Sequence, residues 1–203
     1  MAQALQQAAA TRINAIHATS EAKRHALAQH LTPPETATFA ASMLSDLSTD
    51  QVFIRCLDLG AGSGILSIAL YERYDGHIEG IDAVEADPVL ATVYEAELAS
   101  VGVPHDLTLG DVLVETPGGP YDRIVLNPPY KKMAASDARQ SGLPCHSANL
   151  YSAFIAIGLS RLDENGELVA IVPRLWMKTR LCCHCGTLPV RHDLSRLPRA
   201  GWG

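Results

Sequence analysis

The stretch Val52-Phe53-Ile54-Arg55-Cys56-Leu57-Asp58-Leu59-Gly60-Ala61-Gly62-Ser63-Gly64 decides the fold. Its apolar run from Val52 to Leu59 reads as a strand, and Ile65 to Tyr74 beyond it reads as a helix. Glycines at 60, 62 and 64 let the backbone between them approach a ligand closely, and the helix start offers free N–H donors. The spacing is G-x-G-x-G, which is not the dinucleotide fingerprint G-x-G-x-x-G. Asp58 at this turn repels a pyrophosphate and suits a ligand carrying an ammonium group. The competing reading is a tight strand–helix turn that needs glycine for steric reasons alone.

Outward from this stretch, strand and helix patterns alternate. His77 to Val84 reads as a strand, Asp87-Pro88 opens a helix to about Val101, and Asp106 to Leu109 is a short strand. Tyr121 to Leu126 is a stronger strand, followed by a Ser-, Ala-, Gly- and Pro-rich loop from Pro128 to Ala148. Asn149 opens a helix to Leu162, Asn165-Gly166 reads as a turn, and Glu167 to Val172 as a last strand. Strands alternating with crossover helices predict an α/β fold, a doubly wound and mostly parallel sheet covered on both faces. Upstream, Thr32-Pro33-Pro34-Glu35 reads as a capping box, with Ala37, Ala40, Leu44 and Leu47 on one face of the helix it opens. Residues 1–31 read as a peripheral helix with a narrow apolar stripe.

Polar residues stand where three of these strands end. Glu85 is placed for a carboxylate to accept both hydroxyls of a ribose; Asp82, its competitor, should lie within the strand. Asp111, followed by Val112, is placed to accept from an adenine amino group. Singly, such acids are commonly solvated turn residues. After the strongest strand comes Asn127-Pro128-Pro129-Tyr130. Two prolines fix the Asn127 carboxamide and leave the Pro128 carbonyl as an acceptor. Those two oxygens can take both hydrogens of an exocyclic amine, raising lone-pair density on its nitrogen towards a methyl donor. Tyr130 offers a flat face for a base to stack on. A proline-stiffened turn is the structural alternative.

These motifs together resemble the N6-adenine DNA methyltransferases of restriction-modification systems. The resemblance rests on LTPPETATFAASM, LDLGAGSG, DRIVLNPPY and NLYSAFIAIGLSRLDENGELVAIVPR, and runs from about Arg24 to Arg174. It implies a class I S-adenosylmethionine-dependent, Rossmann-like fold, with S-adenosyl-L-methionine as the cofactor. It also implies double-stranded DNA as the partner, with the target adenine flipped out. Residues implied for the cofactor are Thr32, Pro33, Asp58, Gly60, Gly62, Gly64, Glu85, Asp111 and Val112. Those implied for catalysis are Asn127, Pro128, Pro129 and Tyr130. Glutamine methyltransferases acting on release factors share Asn-Pro-Pro-Tyr and are the alternative, with a non-catalytic remnant as another. Pro34-Glu35-Thr36-Ala37 only partly matches their upstream motif, and the segment after Tyr130 fits the DNA enzymes better.

Composition bounds these readings. The chain has 203 residues, 47% apolar and 19% charged, which suits one folded domain. No membrane span and no export signal is legible, so a cytoplasmic protein is expected. The net charge is -6, yet the last 26 residues carry five bases against one acid. An acidic body needs a local basic patch to grip a polyanion; Lys131 and Lys132 are candidates, or simply a solvated loop. Division into 1–31, a 32–174 methyltransferase domain and an atypical 175–203 tail follows. The family pattern continues past Arg174 with a hairpin and a recognition domain. Here the pattern stops, so a truncated or frame-shifted chain with a disordered tail and no sequence-specific DNA methylation of its own is expected. Cys182, Cys183, His184, Cys185 and His192 are too closely crowded for a tetrahedral site, and no metal is expected. Histidines 17, 25, 30, 77, 105 and 146 read as surface residues.

Overall fold

Strand β1, Ile54–Leu59, is the middle of a five-stranded sheet in the computed structural model, which describes residues 32–49 and 51–172. Elements follow in the order α1 (Pro34–Ser42), β1, α2 (Ile65–Tyr74), β2 (Ile78–Glu85), α3 (Pro88–Val101) and β3 (His105–Leu109). Then come α4 (Val112–Glu115), β4 (Tyr121–Leu126), a 3-10 turn (Ala138–Gly142), α5 (Leu150–Arg161) and β5 (Leu162–Ala170). The strand order is β3-β2-β1-β4-β5 and every pairing is parallel. Alternation along the strands sorts side chains onto two cores. Ile54, Cys56, Ile81 and Ala83 pack with α1, α2 and α3, while Leu57, Leu59, Ile124 and Leu126 pack with α5. Burial on both faces is what a near-continuous apolar strand requires.

Four local expectations are corrected. The strand starts at Ile54, where Ile54 pairs with Ile78 and its N–H donates to the His77 carbonyl at 2.9 Å. Val52 and Phe53 precede that first pair and are about 60% exposed. Asn165-Gly166 is not a turn before the last strand, because β5 begins directly after α5. The two residues lie where the register jumps between the pairs Tyr121↔Leu162 and Arg123↔Glu167, a bulge that a Cβ at Gly166 would obstruct at 2.7 Å from the Tyr121 carbonyl. The capping box at Thr32 does not form. Pro33 is the N-cap of α1 and makes no side-chain cap, while the Thr32 hydroxyl bonds to a distant residue instead. His105 is not a free surface residue: its side chain is 12% exposed, Nε2 lies 2.9 Å from Glu95 Oε2, and the ring meets Tyr94 edge-on.

The other helix signals hold. Asp87 caps α3 by accepting from the Val89 N–H, with Pro88 in its first turn. Ala37, Ala40 and Leu44 are all buried on the α2 side, although α1 itself ends at Ser42. The expectations for residues 1–31, for the cysteine-rich tail and for any further hairpin lie outside the described residues. Among the described residues no helix is long and apolar enough to cross a membrane, and no group of His, Cys, Asp or Glu is arranged to hold a metal.

Candidate active site at the strand carboxyl ends

The strand order reverses between β1 and β4, and crevices outside the carboxyl ends at such a point are where open α/β sheets bind ligands. Leu59 pairs with Leu126, so the glycine loop and the Asn127 turn leave neighbouring strand ends in the same direction. Gly62 has φ +59°, a Cβ there would meet nothing within 4 Å, and its N–H donates to Glu85 Oε2 at 2.8 Å. Gly64, with φ +83°, begins α2 against α3; a Cβ would sit 2.6 Å from Leu98 Cδ1. One glycine therefore faces open space and the other close packing.

Asp58 lies under this loop, near the end of β1 and on its α2 face, with no exposed surface. Oδ2 accepts from the Ser67 hydroxyl at 2.7 Å, Ser67 Oγ lies 3.2 Å from Tyr94 Oη, and Oδ1 is buried without a partner. Burial pushes the Asp58 carboxyl up to about 7; the Ser67 bond opposes this, and the Glu85 charge adds to it. Glu85 ends β2 almost fully buried. Its two oxygens accept from the Gly62 and Asp87 N–H groups, at 2.8 and 2.7 Å. Burial raises its pKa, and those two bonds offset part of the rise. Asp82, the competing acid, lies inside β2. Tyr121 Oη and an Arg55 Nη donate to it at 2.5 and 2.9 Å.

Asp111 follows β3 and caps α4, Oδ1 accepting from Leu113 N–H at 2.9 Å, with Val112 buried beside it. Its other oxygen accepts from Arg139 Nη1 at 2.8 Å. On the β4 side, Asn127 Nδ2 donates to Thr32 Oγ1 at 2.8 Å. The Tyr130 hydroxyl lies 3.2 Å from Asn127 Oδ1 and 3.1 Å from the Ile171 carbonyl, two acceptors for one proton. Pro128 is buried, and Tyr130 meets Tyr151 edge-on with centroids 6.4 Å apart. The following loop closes on itself. Lys132 bridges to Asn149, Met133 N–H donates to the Ala148 carbonyl and Leu150 N–H to the Lys131 carbonyl. Lys131 and Lys132 are exposed beside it.

Thr32, the glycine loop, Glu85, Asp111 and Asn127 to Tyr130 thus all flank the carboxyl ends of β1, β2, β3 and β4. Sequence reading missed Ser67, Tyr94, Arg139 and Tyr151. The first two look like ordinary helix residues, and Tyr151 like an ordinary α5 core position. For Arg139 the signal was Asp137-Ala138-Arg139, an acid and a base two apart in an otherwise small-residue loop.

Known proteins agree with this architecture. The sequence model of the methyltransferase small domain matches residues 38–182. Type II methyltransferase M.BsuBI of Bacillus subtilis is 26% identical over 174 residues, covering 73% of this chain and 34% of that protein. The tRNA1(Val) (adenine(37)-N6)-methyltransferase of Aeromonas hydrophila is 33% identical over 132 residues, covering 63% of this chain and 55% of that one. The chain therefore spans between a third and little more than half of the length of these relatives. A Listeria monocytogenes structure described as a class I S-adenosylmethionine-dependent methyltransferase superposes with a TM-score of 0.66 at 18% identity, covering 76% of this chain and 50% of that one. The fold is the class I, Rossmann-like methyltransferase fold. With its family model matched over most of its length, the chain belongs to the methyltransferase small domain family.

Proposed function

We propose that the chain binds S-adenosyl-L-methionine and, together with a DNA-recognition domain, transfers its methyl group to the N6 amino group of adenine in double-stranded DNA. The observation that carries the proposal is the Asn127 carboxamide, fixed between Thr32 and Tyr130 at the switch point beside the glycine loop. The residues fit the cofactor. Gly62 borders open space over a left-handed backbone, and Asp58 Oδ1 is a buried acceptor without a partner. When bound, S-adenosylmethionine supplies an electrophilic sulfonium methyl.

Each residue then has a task. The loop from Gly60 to Gly64 lets the protein backbone approach the ligand, with Thr32 and Pro33 flanking the ligand's amino-acid end and Asp58 supplying negative charge beneath. Glu85 accepts from ribose hydroxyls with lone pairs left over from its two N–H partners. Asp111 accepts from the adenine amino group and Val112 packs beside it. On the acceptor side, Asn127 Oδ1 and the Pro128 carbonyl take the two hydrogens of the target amine. Tyr130 can keep its hydrogen bond to Ile171 while it yields Asn127 Oδ1 to the substrate. Pro129 keeps the turn stiff. Positioning, rather than a strong base, supplies most of the rate.

DNA as the acceptor is supported by the similarity to M.BsuBI over 73% of the chain. A second reading, an adenine of tRNA, is supported by the Aeromonas relative, whose activity is adenine N6 methylation of tRNA. Calorimetry with S-adenosylmethionine tests the cofactor half. Labelled methyl transfer to duplex DNA and to tRNA, with nucleoside analysis of both, tests the acceptor half. N6-methyladenine in the DNA is the expected product once a recognition domain is supplied; label on tRNA alone would replace DNA with the second reading.

A further inference from the structure

One guanidinium joins the two sides of the site. Arg139 stands in the 3-10 turn of the loop that follows Asn-Pro-Pro-Tyr, where Asp137 grips it as a fork: Nε to Oδ1 at 2.9 Å and Nη2 to Oδ2 at 2.5 Å. The Arg139 N–H also donates to Asp137 Oδ1 at 3.0 Å. These contacts are local, so the cation stays with its loop. The remaining arm reaches Asp111, 28 positions away, at 2.8 Å. Both side chains of that long-range pair are about 40% exposed, so its contribution to global stability is small. Its geometric effect is larger. Asp111 spends one oxygen as the cap of α4, and the guanidinium fixes the other, leaving the carboxylate a single orientation.

We infer that Arg139 is a positioning residue for both halves of the site: it sets the Asp111 carboxylate and, through the same contact, docks the acceptor-side loop from 131 to 149. Removing either end of the contact is felt on both sides. The inference rests on the reading above that Asp111 meets the adenine of the cofactor. A guanidinium suits this task because its planar fork serves two carboxylates at once, which an ammonium on a single stem does not.

The test is a double-mutant cycle on S-adenosylmethionine affinity with Arg139→Gln, Asp111→Asn and their combination, alongside amide hydrogen exchange over residues 131–149. Each single change is expected to weaken binding about tenfold, the scale of one charge-assisted hydrogen bond. The double variant is expected to be no weaker than the worse single one. Arg139→Lys, which can still reach one carboxylate, should recover part of the loss. Exchange over 131–149 should rise in both single variants while thermal midpoints stay near that of the unaltered chain. Multiplying losses in the double variant, or unchanged loop exchange in Arg139→Gln, overturns the inference. Failure of the unaltered chain to bind S-adenosylmethionine instead overturns the cofactor reading, and the exchange measurement then decides the loop contact by itself.

Discussion

Asn127 donates from Nδ2 to the Thr32 hydroxyl at 2.8 Å across 95 positions of sequence. The contact ties the segment before the sheet to the end of β4. With Nδ2 engaged there, Oδ1 lies on the opposite side of the carboxamide, 3.2 Å from the Tyr130 hydroxyl. If Oδ1 takes an amine hydrogen of the substrate, Thr32 sets that geometry without touching the reacting atoms.

Thr32→Val should therefore lower the methyl transfer rate at saturating cofactor about tenfold, beyond any loss of cofactor affinity from the place of Thr32 at the amino-acid end. This is the scale of one net hydrogen bond to a partly buried group. Thr32→Ser keeps the hydroxyl and should restore the rate. Single-turnover kinetics at saturating cofactor make the comparison; equal rates in Thr32→Val and the unaltered chain would remove Thr32 from the mechanism.

In a chain that carries its recognition domain, Asn127→Ala should abolish transfer while cofactor affinity stays near normal. Calorimetry and a transfer assay on the same preparation separate the two effects. Lost cofactor binding in a folded variant would put Asn127 in the wrong role.

The two glycines of the loop should fail differently. Gly64→Ala meets Leu98 at 2.6 Å and a φ of +83°, so it should cost about 1–3 kcal/mol of stability. Gly62→Ala pays only the backbone strain, about 1 kcal/mol, since no atom lies within 4 Å of its Cβ. Its methyl instead projects into the open space assigned to the ligand, so binding should fall by more than folding. Thermal unfolding with and without S-adenosylmethionine distinguishes them.

Asp58 gives a pH dependence with a definite sign. Its carboxyl is pushed up to about 7 in the folded chain, against about 4 when unfolded. The folded state thus binds this proton more tightly. The resulting stability is complete below about pH 4 and is lost as pH rises through about 7. Glu85 is shifted in the same direction. Thermal midpoints of the ligand-free chain should fall between pH 5 and 8, and Asp58→Asn should flatten that slope; parallel slopes in the two proteins would contradict the assignment. A ligand bearing an ammonium group favours the ionised form, so binding should release a proton near neutral pH.

Cofactor affinity should weaken by about 1–3 kcal/mol in Glu85→Gln, the loss of a buried charged acceptor. Because Glu85 also holds the Gly62 and Asp87 N–H groups, the same variant should lose stability. Unchanged affinity would move the ribose elsewhere.

Most of the fold was legible because strands buried on both faces leave long apolar runs, and Asp87-Pro88 marks a helix start by local chemistry. The glycine loop and the Asn-Pro-Pro-Tyr turn were legible for the same reason: each motif is contiguous and stereochemically demanding. What escaped depends on distance. The Thr32 hydroxyl had a local partner by pattern, yet it bonds to Asn127 instead. Likewise, nothing in the spacing of Asp111 and Arg139 announces that they meet. The bulge at Asn165-Gly166 was invisible because the same dipeptide serves tight turns equally well.

The position of β1 between β2 and β4 has a consequence for how the chain assembles. Leu57 pairs with Asp82 on one side and Ile124 on the other, separations of 25 and 67 residues. Closing the longer loop costs about 0.9 kcal/mol more in chain entropy. The β1–β2 half, which brings the glycine loop to Glu85, therefore has the smaller search to complete. If closure follows loop length, the strand bearing Asn127 docks against an edge that β1 already presents. Kinetic unfolding of variants at the β1–β4 seam, such as Ile124→Val, should accordingly raise the unfolding rate more than it slows folding. The two halves of one crevice would then be made at different times.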